Sequence, residues 1–223
     1  MIPTECKVDK YGFLYLDEEY ILKEELNYYD NLEKIKSRFF TIDSTDEYII
    51  KYHLEKLNNK EVLQMLEKVY SINACKLSNV DFPIGYYKEN DKIRGLIIPN
   101  YPFTVSLRHA VIHNNIDKYY NHLEDKRENV LHLLNDILKI LENLYDNDII
   151  YIDINPGNFV FWQNEIKIID FDPKYIFYKE NDFYFKMMLW NYRDLVCYVC
   201  KKCGINIQDI KSDYDNIKKY QKR

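Results

Sequence analysis

Two stretches of the sequence decide how this chain is interpreted: YIDINPGNFVF, residues 151–161, and IKIIDFDP, residues 166–173. The first stretch carries Asp153 and Asn158 and the second carries Asp170, each beside an apolar run of strand-like length. An isolated carboxylate beside a core needs a partner, because burial of an unpaired charge is costly. A metal ion is one such partner. The alternative is that these residues only cap two polar turns.

The spacing of these polar residues favours the metal site. Asp153 and Asn158 stand at the two ends of a loop that Pro156 and Gly157 make tight, and Asp170 ends the later strand. If the two stretches pair as a hairpin, Asn158 and Asp170 converge. Their amide and carboxylate oxygens suit Mg²⁺, which takes few protein ligands. Asp153 would then stand nearby, where it could orient an incoming hydroxyl or accept its proton.

Length and composition narrow the class of protein. The 223 residues suit one large domain or two lobes, and a chain that is 47% hydrophobic and 30% charged is neither a disordered tail nor a membrane protein. The net charge is −5 and the basic residues are scattered, which argues against a nucleic-acid partner. The N-terminus, MIPTECKVDKYG, lacks the pattern of a signal peptide, so we expect a cytoplasmic location without a membrane partner.

Periodicity predicts an α+β chain with two lobes. Residues 11–53 are typical of short strands, and a helix follows from Asn58, which forms a possible capping box with Glu61. A further strand pair surrounds the turn KENDK. Beyond residue 100 the pattern is mainly helical, with a long amphipathic helix within residues 121–147 and a helical tail from Glu180. We therefore predict an N-terminal lobe, 1–99, and a C-terminal lobe, 100–223.

Three of the five cysteines form the sequence CYVCKKC, which permits two interpretations. Cys197, Cys200 and Cys203 could be three ligands of a zinc site, with Cys75 or Cys6 as the distant fourth. The alternative is a helix that ends at Gly204. Its core-facing residues would be Leu195, Val196, Val199 and Cys200.

The two opening stretches resemble the protein-kinase-like superfamily. Its catalytic loop is H-R-D-x-x-x-x-N, and a D-F-G tripeptide follows one hairpin later. The corresponding residues here are 151–158, YIDINPGN, and 170–172, DFD. The resemblance implies a bilobal kinase-like fold with a reduced, mainly helical C-terminal lobe. It further implies that Asp153 is catalytic and that Asn158 and Asp170 bind Mg²⁺.

The resemblance extends upstream. The strand EYIIK, which ends at Lys51, resembles the V-A-I-K strand, whose lysine contacts the ATP phosphates and pairs with a helix glutamate. Glu61 is the preferred partner and Glu67 the rival, while the alternative for Lys51 is a surface strand lysine. The sequence LIIPNYP resembles the hinge that binds adenine through its backbone, which implies nucleotide contacts at Asn100 and Tyr101.

The chain departs from the family pattern at several places. No glycine lies between Tyr15 and Lys51, so the glycine-rich phosphate loop is missing. Residues 151–152, Tyr-Ile, replace the His-Arg pair, and Asn155 and Asp172 replace a lysine and the glycine of D-F-G. No A-P-E motif follows. These departures indicate a compact, atypical branch, such as small bacterial sugar, lipopolysaccharide-core or antibiotic kinases or RIO-type kinases.

The sequence therefore predicts an enzyme, an ATP- and Mg²⁺-dependent kinase that phosphorylates a hydroxyl of a protein or of a small molecule. The alternative is a pseudokinase that keeps the fold and binds a partner. A zinc protein ligated by cysteines is the third interpretation. Aromatic residues within 175–185 could line an acceptor cleft or belong to the core.

Overall fold

The structure, a computed structural model, describes residues 2–26, 37–72, 77–102, 104–178 and 182–206. Its residues group into two compact units. The first unit comprises residues 1–74 and 81–102, and the second comprises residues 75–80 and 103–223. Residues 75–80, numbered within the predicted N-terminal lobe, thus group with the second unit.

A seven-stranded sheet forms the first unit. Its order is β1-β2-β6-β7-β5-β4-β3, and every described pairing is antiparallel except that of β2 with β6. β-Branched and aromatic residues dominate its central strands, as the sequence predicts. The strands are β1 (Lys7–Val8), β2 (Leu14–Leu16), β3 (Glu25–Leu26), β4 (Ser37–Ile42), β5 (Thr45–His53), β6 (Gly85–Glu89) and β7 (Lys92–Pro99).

The central strand β5 is buried on both faces. Ile50 lies opposite Phe40 on β4 and Ile97 on β7, and all three belong to one buried apolar cluster. Lys51, the next residue, points to the other face because strand side chains alternate. It lies opposite Leu96 and is 6% exposed. The strand therefore holds a lysine inside apolar surroundings.

The helix of the first unit is α1 (Asn59–Ser71). Asn58 is its N-cap and accepts a hydrogen bond from the backbone N–H of Lys60. The predicted apolar face is buried at Val62, Met65 and Leu66. Because three to four residues separate these positions, they form one stripe on the helix.

The second unit contains two small sheets and most of the helices. One sheet has the order β11-β10-β8, and the other pairs β12 with β9. The polar stretch WQNE, residues 162–165, predicts a turn. In the structure Gln163 and Asn164 join β10 to β11 with both residues at positive φ, as a tight hairpin requires. The strands are β8 (Val105–Ser106), β9 (Ile149–Tyr151), β10 (Phe159–Trp162), β11 (Glu165–Ile168) and β12 (Ile176–Tyr178).

Two long helices form the core of this unit. The helix α4 buries Leu134, Ile137, Leu141 and Leu144 of the predicted stripe. The helix α5 ends at Gly204, which has a φ of +71° and is a favourable residue for a left-handed helix end. The helices are α2 (Leu107–Ile112), α3 (Ile116–Tyr119), α4 (Lys126–Asp146) and α5 (Asp182–Cys203).

The segment 78–80 runs along the edge of β11. Asn79 donates from Nδ2 to the carbonyl of Ile166 at 2.9 Å, and its own carbonyl accepts from the N–H of Ile168 at 2.8 Å. Val80 forms a parallel bridge with Ile168. This segment therefore satisfies backbone groups of β11 that an open sheet edge would expose.

The predicted α+β fold class is confirmed by this mixture of sheets and helices. Among the helices in the described residues, none combines the length and apolarity that a membrane crossing requires.

The N-cap of α4 provides a test of the helix start described for this unit. Asp125 accepts from the N–H groups of Arg127 at 2.7 Å and Glu128 at 3.1 Å. We expect Asp125→Ala to lower the free energy of unfolding by about 1 kcal/mol, because it leaves helix N–H groups without their acceptor. Thermal and denaturant unfolding would measure this loss. The control Glu124→Ala, at the neighbouring exposed position, should stay within about 0.5 kcal/mol of wild type, and equal losses would contradict the capping role.

Candidate functional site

The loop 152–158 joins β9 to β10 and is held at both ends by backbone hydrogen bonds. Ile152 donates its N–H to the carbonyl of Tyr175 at 3.1 Å, and its carbonyl accepts from Asn191 Nδ2 on α5 at 2.6 Å. Near the other end, the carbonyl of Pro156 accepts from the N–H of Arg108 on α2 at 2.9 Å. Three separate elements thus hold the loop in one conformation.

Inside the loop, Asn155 connects Asp153 to the tight turn. Its Nδ2 donates to Asp153 Oδ1 at 3.1 Å, and its Oδ1 accepts from the N–H of Gly157 at 2.9 Å. The backbone N–H of Asn155 also donates to the Asp153 carbonyl at 2.9 Å. One carboxylate oxygen of Asp153 is therefore fixed by the loop, while Oδ2 can meet another group.

Asn158, the predicted metal ligand, is only 8% exposed and uses both hydrogens of its amide. Nδ2 donates to the hydroxyl of Tyr151 at 3.0 Å and to the carbonyl of Asp153 at 2.9 Å. Because the amide group is planar, these two bonds direct its oxygen to the opposite side. The orientation thus presents an oxygen, the atom that a hard cation requires.

The hairpin of β10 and β11 brings the second predicted ligand alongside. Phe159 pairs with Ile168, and the N–H of Ile169 donates to the carbonyl of Asn158 at 2.8 Å. Asp170 follows directly, so Asn158 and Asp170 stand on adjoining chains at the same end of the hairpin. The predicted convergence of these two segments is therefore present in the backbone.

Asp170 has a φ of +64°, in the left-handed region. This conformation costs an L-residue with a side chain about 1–2 kcal/mol. Strained residues of this kind concentrate at functional sites, where the surrounding structure maintains them. The strain is consistent with a functional requirement for the Asp170 carboxylate at this position.

Tyr151 holds the side chain of Asn158 through a hydrogen bond. The sequence analysis did not assign this role. Its ring is fully buried and stacks on Phe171 with centroids 5.4 Å apart and an interplanar angle of 11°. Burial raises the pKa of its phenol well above the usual value, and the charges of Asp153 and Asp170 raise that pKa further. The phenol is therefore neutral and serves as a fixed acceptor for Asn158.

Asp172, which stands at the glycine position of D-F-G, has a structural task. It is 4% exposed and caps the 3-10 helix Pro173–Tyr175 by accepting from the N–H of Lys174. Its carboxylate also pairs with the Lys174 ammonium at 3.1 Å. Burial is the largest single influence on the pKa of Lys174 and lowers it, but the charge of Asp172, its hydrogen bond and the nearby Tyr175 and Asp170 together raise that pKa by more.

Lys51 belongs to the first unit and is not the surface strand lysine of the alternative interpretation. Its burial is costly for an ammonium group unless the group is compensated. Glu61, its preferred partner, is exposed and accepts from Asn58 Nδ2 at 2.9 Å, so it takes part in the cap of α1. Glu67, the rival, is exposed on the same helix. The pairing of Lys51 with either glutamate stays a prediction.

The predicted adenine-binding residues are partly engaged within the first unit. The N–H of Asn100 donates to the carbonyl of Glu47 at 2.7 Å, and its Nδ2 donates to the carbonyl of Asp46 at 3.0 Å. The hydroxyl of Tyr101 donates to Asp81 Oδ1 at 2.6 Å. Asn100 thus connects the end of β7 to the start of β5, and its role in nucleotide binding stays a prediction.

The cysteine motif forms a helix, as in the second interpretation. Within the described part of the chain, no three His, Cys, Asp or Glu side chains are grouped as a metal site. Cys200 is buried, and burial raises its pKa to about 12, which opposes the thiolate that zinc requires. Cys75 lies outside the described residues. The geometry therefore favours a packing role for Cys200.

Two further predictions depend in part on segments outside the described residues. The missing phosphate loop was predicted from the absence of glycine between Tyr15 and Lys51, and residues 27–36 of that stretch lie outside the described residues. The aromatic stretch 175–185 is described except at 179–181. Within it, Phe177 stacks on Tyr184 with centroids 3.5 Å apart, and Phe185 contacts Tyr145 on α4. Phe185 thus packs against a core helix.

The residues at the hairpin end fit Mg²⁺. An oriented amide oxygen at Asn158 and a carboxylate at Asp170 are hard oxygen donors, and Mg²⁺ usually binds one or two protein carboxylates together with waters and phosphates. An orientation with the Asn158 nitrogen at this point would exclude a cation, and the two bonds from Nδ2 prevent it.

Comparison with solved structures shows similarity to protein kinase domains. The kinase domain of BubR1 matches with a TM-score of 0.48 and 18% identity, over 68% of this chain and 46% of that domain. The maize sucrose-induced receptor kinase 1 kinase domain, solved bound to AMP-PNP, matches with a TM-score of 0.46 and 19% identity. That match covers 63% of this chain and 49% of that domain. The chain thus spans about half the length of each.

No family model matches the sequence. No curated protein matches it either.

Three residues that position the loop escaped the sequence analysis, namely Tyr151, Asn191 and Arg108. Tyr151 had been noted only as a replacement of histidine. Asn191 lies 33 positions after Asn158 on α5, and no local spacing relates the two. An asparagine inside a largely apolar helix was the one available signal, because a buried amide needs a hydrogen-bonding partner.

The strain at Asp170 leads to a stability prediction. Asp170→Gly and Asp170→Ala remove the same carboxylate, but glycine adopts a positive φ without penalty. We expect the glycine variant to exceed the alanine variant by about 1 kcal/mol in free energy of unfolding, as measured by denaturant titration. Equal stability of the two variants would show that the left-handed backbone is not maintained in solution.

The raised pKa of Tyr151 leads to a pH prediction. A phenol whose pKa is raised in the folded state contributes stability below the unfolded pKa of about 10, and this contribution is lost as the pH rises above that value. Between about pH 8 and about pH 11, wild type should therefore lose more stability than Tyr151→Phe. Denaturant unfolding at both pH values would measure the difference, and an identical loss in the variant would contradict burial of the phenol.

Proposed function

We propose that this chain is an ATP- and Mg²⁺-dependent phosphotransferase that transfers the γ-phosphate to a hydroxyl group. The observation that carries the proposal is the orientation of Asn158, whose amide oxygen is directed away from two hydrogen-bonded acceptors at the end of the hairpin that also bears Asp170. A turn-capping asparagine has no need of such a buried arrangement. A cation ligand requires it.

Asp153 is the group proposed to contact the substrate hydroxyl that receives the phosphate. Asn155 fixes its Oδ1, so Oδ2 can accept the proton of a substrate hydroxyl or orient that hydroxyl toward the phosphate. The loop anchors at Ile152 and Pro156 restrict how far the carboxylate can move. Such positioning is the main protein contribution to phosphoryl transfer, which needs little covalent chemistry from the enzyme.

Asn158 and Asp170 would hold the cation. When bound, Mg²⁺ neutralises phosphate charge and orients the transferred group. The backbone brings Asp170, at a positive φ, to the end of the hairpin at which two acceptors hold the amide nitrogen of Asn158. Both ligands come from one hairpin, so their spacing is set locally.

Lys51 is the proposed phosphate ligand from the first unit. Its burial in the central strand is unusual for a lysine and is consistent with a partner of negative charge. An ammonium in this environment would attract the α- and β-phosphates of ATP. The backbone near Asn100 and Tyr101 is the proposed adenine contact within the same unit.

A second candidate function is a binding module without phosphotransfer. It is favoured by the bond from the N–H of Asn100 to the carbonyl of Glu47, which occupies a donor that adenine would use. The absence of glycine from residues 27–36 favours it as well. In this case the chain would present a partner surface and keep the hairpin as a structural element.

Turnover of ATP separates the two functions. Purified chain with ATP and Mg²⁺ should form ADP or phosphorylated protein, detected by ³¹P NMR and intact mass spectrometry. Asp153→Asn, which keeps the shape of the side chain but is a far weaker base, should lower the rate by about 10²–10⁴-fold.

The matched control is Asp194→Asn, because Asp194 is an exposed carboxylate on α5. It should retain the wild-type rate. An Asp153→Asn variant as active as wild type would contradict the assigned role. A folded wild-type chain that is stabilised by ATP and Mg²⁺ but forms no ADP would favour the binding module.

A further inference from the structure

Tyr151 occupies the position at which the motif H-R-D-x-x-x-x-N has its histidine, and its hydroxyl lies within the loop. The distance from its oxygen to Asn158 Nδ2 is 3.0 Å, and the bond is buried. Its ring packs flat against Phe171, the residue between Asp170 and Asp172. The side chain therefore contacts Asn158, which directly precedes β10, and Phe171, which directly follows Asp170.

We infer that Tyr151 is a positioning residue that keeps the amide oxygen of Asn158 directed toward the cation. The inference rests on the proposed function, since it concerns the same cation site. The phenol oxygen accepts one amide hydrogen of Asn158, and the carbonyl of Asp153, which can only accept, takes the other. A flipped amide would bring its oxygen against the carbonyl of Asp153, which is also an acceptor.

Two acceptors bond to Nδ2 of Asn158, and each bond restricts rotation of the side-chain amide. Without the hydroxyl, the bond to the Asp153 carbonyl alone would hold Asn158, and the amide could rotate about its terminal bond. A rotated amide would direct N–H groups at the cation. Outer partners of metal ligands act in this way, and their removal typically costs about 10–100-fold in metal affinity.

The competing interpretation is that Tyr151 is only a large core side chain. Its stacking on Phe171 would be sufficient for that role, and phenylalanine would then serve equally well. Tyr151→Phe keeps the ring and removes only the hydroxyl, so this substitution separates the two interpretations.

The matched control is Tyr192→Phe. Tyr192 is a buried tyrosine of the same unit, and its hydroxyl donates to the carbonyl of Leu134 at 2.9 Å. The two substitutions thus each remove one buried phenolic hydrogen bond. Tyr192 lies on α5, and its hydroxyl donates a hydrogen bond to α4.

The experiment measures binding of Mn²⁺ with AMP-PNP by water-proton relaxation, and of AMP-PNP alone in EDTA by calorimetry. Tyr151→Phe should raise the dissociation constant of the metal complex about tenfold and leave binding of the metal-free nucleotide unchanged. Tyr192→Phe should leave both constants unchanged. These readouts do not depend on catalytic activity.

Each outcome tests the positioning role of Tyr151, the cation site, or both. Equal metal affinity in wild type and Tyr151→Phe overturns the positioning role and leaves the proposed function intact. A wild-type chain that binds no Mn²⁺, with or without nucleotide, overturns the cation site and the positioning role together. A loss of metal affinity in both tyrosine variants also overturns the inference, because it would be a general effect of destabilisation.

If Tyr151→Phe does not fold, the wild-type chain gives the test. Nuclear Overhauser effects should connect the Asn158 side-chain amide hydrogens to the ring of Tyr151, with the amide signals assigned through their loss in Asn158→Asp. Both amide hydrogens should also exchange slowly with solvent, since one is in a buried and the other in a partly buried hydrogen bond. Fast exchange with no such effect overturns the inference.

Discussion

The orientation of one side-chain amide, that of Asn158, is the constraint on which the candidate site depends. The hydroxyl of Tyr151 and the carbonyl of Asp153 both accept from its nitrogen, and its backbone carbonyl joins the hairpin to Asp170 through Ile169. A single residue thus couples the loop that carries Asp153 to the segment that leads into Asp170. Buried polar networks of this kind specify one arrangement when every member is satisfied.

The local strain in the site is consistent with that view. Asp170 keeps a left-handed backbone that glycine would adopt more easily, and Asp153 is tied to the loop through Asn155. The strained backbone of Asp170 lowers the stability of the fold, which is consistent with a need to hold charged groups in place. The surrounding apolar elements, α4 and the buried strands β9 and β10, offset this cost through burial.

The sequence predicted those parts of the fold that rest on local chemistry. The cap at Asn58, the stripe of α4 and the glycine at the end of α5 depend on residues within a few positions of one another, and each was found. The hairpin of β10 and β11 followed from its turn residues and flanking apolar runs. What escaped prediction depends on distant partners, as for Asn191 and Ile152. The choice of Glu61 as the partner of Lys51 stays a prediction, and in the structure Glu61 accepts from Asn58 at the start of α1. The spacing of a capping box and that of a lysine partner coincide at Glu61, so sequence could not separate them.

The most direct measurement of the central claim is paramagnetic broadening of backbone amide signals by Mn²⁺ in the wild-type chain. A cation held by Asn158 and Asp170 should broaden the amides of residues 153–158 and 168–172 together at low Mn²⁺ concentration, and EDTA should restore them. The exposed acidic residues Glu18 and Glu19 serve as an internal reference for unspecific binding. Broadening of only one of the two segments, or broadening of that reference first, would contradict a cation site at the end of the hairpin.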